Sequence, residues 1–147
     1  MKKMIFVAAL MAAVSAQAVE LGINASRDTA NSDRTGYGIT LGQKYGQTGI
    51  EAGFDRYTTG TELNKYTLVG SYDVAKFGGV TVSAKAGAAY IDQKNTTDGY
   101  AFLVGAGVAY PIAKQVSLTA DYRYQAGQSR ISSLDGNTIS AGLKYSF

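Results

Sequence analysis

The sequence contains no cysteine and no histidine. Without cysteine no disulfide framework can hold the domain together, and without histidine there is no imidazole base that works near neutral pH. Ser-His and Cys-His acyl transfer are therefore excluded for a single chain. Zinc bound by His or Cys ligands is excluded with them. No stretch carries a helical period, and no apolar run reaches the ~20 residues that a membrane-spanning helix requires. There is also no block of Lys and Arg, which leaves neither a nucleic-acid patch nor a polybasic membrane tether.

What is present begins with MKKMIFVAALMAAVSAQA. Lys2 and Lys3 precede an apolar run from Met4 to Val14, and Ala16-Gln17-Ala18 supplies a small-x-small cleavage pattern. These features predict an export signal over residues 1–18 and a mature domain over residues 19–147. Removing Lys2 and Lys3 takes the 14 Lys and Arg residues down to 12 against 11 Asp and Glu, so the basic pI largely belongs to the signal.

In the mature part, eight runs alternate apolar and polar residues: 19–26, 35–45, 48–58, 64–75, 79–91, 99–110, 115–126 and 137–147. Period-two alternation puts successive side chains on opposite faces of a strand. Most of these runs exceed the usual 5–6 residues and approach the 9–11 that cross a bilayer on a tilt. Their connections alternate in length. Gly46-Gln47, Lys76-Phe77-Gly78 and Pro111-Ile112-Ala113-Lys114 are tight. The stretches near Arg27–Arg34, Thr59–Leu63, Asp92–Asp98 and Gly127–Gly136 are longer and more polar. With eight strands, every short connection falls at the end that carries both termini, the asymmetry of short periplasmic turns and longer external loops. The fold class that follows is all-β: an eight-stranded antiparallel up-and-down transmembrane β-barrel.

Alternation is symmetric, so a soluble barrel with an apolar interior stays open at this point. Glycine argues for the other facing. The polar face holds Gly22, Gly36, Gly38, Gly42, Gly49, Gly53, Gly87, Gly105, Gly107 and Gly142. A narrow eight-stranded interior needs such small residues, whereas a solvated outer face does not. The apolar face, including Ile39, Leu68, Val104, Ala106 and Leu143, then meets hydrocarbon. Its tyrosines gather toward both strand ends, where amphipathic rings sit at headgroup level.

The inward face is predicted to carry a charge network of Glu51, Lys65, Asp73, Lys85, Asp121, Arg123 and Lys144. Glu20, Lys44 and Asp55 lie nearer run ends, where water could wet them. Together these are five cations against five anions, a balance that suits a cross-linked plug, because buried ions require partners. An open channel more often shows an excess of one sign at its constriction.

SLTADYRY followed by a polar loop and NTISAGLKYSF resembles the closing hairpin of the small outer-membrane β-barrel proteins, the group of OmpX-like proteins and the OmpA transmembrane domain. The resemblance implies export to the bacterial outer membrane with the termini inside. It also implies an assembly signal at Tyr145 and Phe147 that the barrel assembly machinery reads. No peptidoglycan-binding domain follows Phe147, so the anchoring role of full-length OmpA proteins is not carried over.

No catalytic residue, metal site or cofactor is expected. The carboxylate pairs Asp28 with Asp33 and Asp92 with Asp98 read as solvated loop charges rather than a Ca²⁺ site, since no EF-hand spacing exists. Two functions remain. One is a structural and surface-interaction scaffold with a plugged interior, whose loops contact host or envelope partners and whose surround is membrane lipid and lipopolysaccharide. The other is a narrow pore for small solutes. Arg27, Arg34, Arg56 and Arg130, at or near the loop end, are the candidate contacts for lipopolysaccharide phosphates.

Overall fold

The computed structural model describes residues 18–29, 33–59, 62–93, 98–127 and 135–147. Residues 1–17 of the predicted export signal, and Arg130, lie outside the described residues. The strands are β1 (Val19–Asp28), β2 (Arg34–Tyr45), β3 (Thr48–Tyr57), β4 (Leu63–Phe77), β5 (Val80–Gln93), β6 (Gly99–Pro111), β7 (Val116–Gly127) and β8 (Gly136–Ser146). Each pairs antiparallel with the next, and β8 pairs with β1, which closes the barrel. Closure leaves no sheet edge, so the strand backbone is satisfied without water, as a membrane-spanning element demands.

The turns explain the tightness of one end. Gly46, Gly78 and Gly79 have φ of 62°, 56° and 82°, a region that side chains other than glycine's rarely adopt. β4 and β5 form the longest hairpin, and a bulge between Asp73 and Ala75 bends β4 as it leaves its pairing with β3.

The predicted facing is borne out. Ile23, Ile39, Val104, Leu118, Ile139 and Leu143 point outward and are exposed, as is Phe102 at 63 %. An unbroken apolar band around a closed barrel far exceeds the patches that water-soluble monomers leave exposed. Its surroundings are hydrocarbon, and the chain is a transmembrane barrel of the outer-membrane type. Tyr45, Tyr72, Tyr110 and Tyr145 ring the turn end. Near the loop end, Phe54, Tyr66, Tyr90 and Tyr100 run across four neighbouring strands with ring centroids 5.1, 6.4 and 5.2 Å apart.

The interior differs in one respect from the all-polar face that alternation predicts. Tyr57, Leu63, Val69, Ala89, Ile91, Ala101 and Leu103 turn inward from β3 to β6 and form a compact apolar cluster. The cluster packs the inner wall of these four strands, interleaved with the lumen charges Asp55 on β3 and Lys65 on β4.

Candidate functional site: the barrel interior

All seven predicted network residues face the lumen, and every one is in an ion pair. Glu51 on β3 receives Lys144 Nζ of β8 at 2.9 Å and Arg123 Nη2 of β7 at 3.4 Å. Arg123 also approaches Asp121 at 3.6 Å, and Asp121 holds Lys85 Nζ of β5 at 2.5 Å. Lys144 reaches Glu20 at 3.2 Å. Toward the turn end, Lys44 Nζ donates to Asp73 at 2.6 Å, and Ser83 donates to the other Asp73 oxygen at 2.7 Å.

Strand order gives these contacts their meaning. In a closed ring of eight, β3 lies opposite β7 and β4 opposite β8. The Glu51–Arg123 pair therefore spans the lumen, and so does the bond from Lys65 Nζ on β4 to Thr138 Oγ1 on β8, at 3.3 Å. Lys65 also pairs with Asp28 on β1 at 3.2 Å, with both side chains almost fully buried. Long side chains can cross because glycine leaves them room. A Cβ on Gly107 would strike the Asp121 carboxylate and come within 2.9 Å of Lys85 Cε. Gly105, registered between Lys85 and Arg123, has no space for one either, because the β7 backbone carbonyl of Tyr122 lies too close.

Two spaces remain around these ties. A chamber of about 280 Å³ occupies the turn end, lined by Glu20, Lys44, Glu51, Asp73, Lys85 and Lys144 among others. Farther in, a space of about 10 Å³ lies among Asn24, Ser26, Asp55, Lys65, Arg123 and Ser140.

Several sequence expectations change. Asp28 is no loop carboxylate: β1 continues through it, its side chain is buried, and it holds Lys65. Arg34, expected at the external surface, is 6 % exposed and sits opposite Asp28 in the β1–β2 register, because β2 begins one residue earlier than the alternation suggested. Asp55, placed near a wetted rim, is 7 % exposed. With Asp28 and Arg34 added, the lumen carries Arg34, Lys44, Lys65, Lys85, Arg123 and Lys144 against Glu20, Asp28, Glu51, Asp55, Asp73 and Asp121. Among the described residues the lumen's buried and half-buried charges stand at six of each, and Lys76, exposed on the lining of the turn-end chamber, is a seventh cation.

Of the loop-end arginines, Arg27 is exposed and bonded to Asp33 at 2.7 Å. Arg56 is exposed on the outer face beyond Phe54. At the turn end, Tyr145 and Phe147 pack edge to face with centroids 4.8 Å apart. Phe147 is 69 % exposed on the outer face, and its N–H donates to the Val19 carbonyl at 2.9 Å. Among the described residues, no group of three or more Asp and Glu side chains is placed to hold a metal ion.

A family model described as "YfaZ precursor" matches residues 1–147. Its description as a precursor accords with an export signal at the start of the chain. A search of the curated proteins returned no match. Among solved structures, the N-terminal β-barrel domain of Pseudomonas aeruginosa OprF aligns with a TM-score of 0.77 at 18 % identity, covering 89 % of this chain and 98 % of that one. Neisserial surface protein A aligns with a TM-score of 0.67 at 18 % identity, covering 90 % and 98 %. Yersinia pestis Ail, in complex with the heparin analogue sucrose octasulfate, aligns at 0.60 with 14 % identity, covering 89 % and 97 %. At these identities the likeness establishes the fold.

Proposed function

From the premise that this chain belongs to the YfaZ precursor family and folds as a transmembrane barrel, we propose that it is a non-enzymatic outer-membrane scaffold. Its lumen is sealed by charge ties, and its working surface is the loop end. The observation that carries this reading is the Glu51–Arg123 pair, which joins opposite walls and is flanked by Lys144, Asp121 and Lys85. Opening a path past it means pulling a buried carboxylate and guanidinium apart across the lumen, leaving Glu51 with Lys144 alone and Arg123 with only its 3.6 Å approach to Asp121, which is costly in a low-dielectric interior. The apolar cluster from Tyr57 to Leu103 packs the inner wall from β3 to β6.

The alternative is a narrow solute pore. The turn-end chamber of about 280 Å³ supports it, because that part of the lumen is roomy enough for water. Osmotic swelling of vesicles containing the protein separates the two. The scaffold predicts swelling in pentose-sized sugars no faster than in protein-free vesicles, and protein-dependent swelling would replace it with the pore.

At the loop end, Arg56 and Arg27 are the exposed cations for phosphate-bearing lipopolysaccharide. Arg34 is withdrawn from that role by its burial. That a protein of this fold, Ail, forms a complex with a sulfated heparin analogue supports anion recognition by a barrel of this kind. Replacing Arg27 and Arg56 together with alanine should weaken lipopolysaccharide capture by the purified protein several-fold. Undiminished capture would remove both residues from the contact surface.

A further inference from the structure

The small space beside the charge ties is surrounded by polar atoms that lack partners. Asn24 Oδ1, Ser26 Oγ and Arg123 Nε are each buried without a hydrogen bond inside the protein, and all three residues line this space. Asp55, on the same wall and 7 % exposed, takes a hydrogen bond from the Asn24 side chain and, among the described residues, makes no ion pair within 4 Å. Buried polar groups left without a partner each cost about 1–3 kcal/mol, so native interiors satisfy them, with ordered water where protein atoms fall short.

The chemistry of the orphaned atoms selects the ligand. Arg123 Nε–H can only donate, and Asn24 Oδ1 can only accept. A metal ion leaves the arginine unsatisfied and is repelled by Lys65 and Arg123. An anion leaves the asparagine oxygen unsatisfied and meets Asp55. A neutral molecule that both donates and accepts serves both atoms. A space of about 10 Å³ fits one water and nothing larger.

We propose that this site binds a single ordered water molecule, which accepts from Arg123 Nε–H and donates to Asn24 Oδ1, with Ser26 Oγ and the Asp55 carboxylate as its further neighbours. The water completes the seal. Arg123 uses Nη2 on Glu51 and Asp121, which line the turn-end chamber, and offers Nε to the inner space. One side chain thus stands between the two water-bearing spaces. Slow exchange of the inner water rests on the sealed-lumen reading; its presence does not.

The test is water-to-methyl cross-relaxation in nanodiscs, with the protein perdeuterated and its leucine methyls protonated. Leu103 lines the space and its methyls carry no exchangeable proton of their own, and the hydroxyls beside it, unchanged in the Asn24→Leu variant below, are controlled for by that comparison. The wild type should show NOE and ROE peaks of opposite sign between water and the Leu103 methyls, the mark of a long-held molecule. Asn24→Leu should abolish them while the other leucine methyl signals keep their positions. A folded wild type with no water peak at Leu103 overturns the site, and so does a peak that persists unchanged in a folded Asn24→Leu variant. Vesicle swelling on the same wild-type preparation separates the two ideas: solute entry breaks the seal alone, whereas a dry Leu103 in a protein that admits no solute breaks the water alone.

Discussion

Ala106→Arg should lower folding stability in a bilayer by about 2–4 kcal/mol, the cost of a basic side chain on the lipid face near the midplane. Ala106 lies in the middle of β6, exposed on the outer face, with Ala84 and Tyr122 as its registered neighbours. The guanidinium there must either sit in hydrocarbon or stretch toward a headgroup, and the flat alanine surface of β5 gives its stem little to pack against. The chain has no tryptophan, so unfolding in urea is best followed by heat-modifiable gel mobility or circular dichroism of vesicle-inserted protein. An unchanged midpoint would mean that this position does not meet lipid.

The second large effect is inside. Glu51→Leu should cost about 3 kcal/mol, because it strips the carboxylate from Arg123 and Lys144 at once and leaves Arg123 with only its 3.6 Å approach to Asp121. Lys144 keeps Glu20 at 3.2 Å and loses less. Adding Arg123→Met to Glu51→Leu should recover most of the loss, since replacing both members of a buried pair by apolar side chains is far cheaper than orphaning one. The interaction energy from this double-mutant cycle measures the tie itself. Additive losses would mean that the two residues support the barrel independently and that no tie crosses the lumen.

Much of this was legible in the sequence because a strand's side-chain period is two. Parity alone put Glu51, Lys65, Asp73, Lys85, Asp121, Arg123 and Lys144 on one face, and the glycines on that face told which side was narrow. Partner choice was not legible. Glu51 meets Arg123 only because β3 and β7 lie opposite each other in a closed ring, and that depends on the register of every strand between them. Asp28 and Arg34 were misplaced because the polar stretch between them resembles a loop from end to end, yet the β1–β2 register carries both residues into the wall. The apolar cluster was missed for a related reason. In β5 and β6 small and apolar residues fill both faces, as in AKAGAAYI, so the pattern carries no contrast to mark Ala89, Ile91, Ala101 and Leu103 as inward.

The central claim is that paired charges close the lumen, and planar-bilayer conductance tests it most directly, with the wild type run beside Glu51→Leu. The account predicts a silent wild type, and current steps in the variant, where Arg123 is released from the far wall. Steady current through the wild type that Glu51→Leu leaves unchanged would contradict it, placing the conduction path somewhere the Glu51–Arg123 tie does not block.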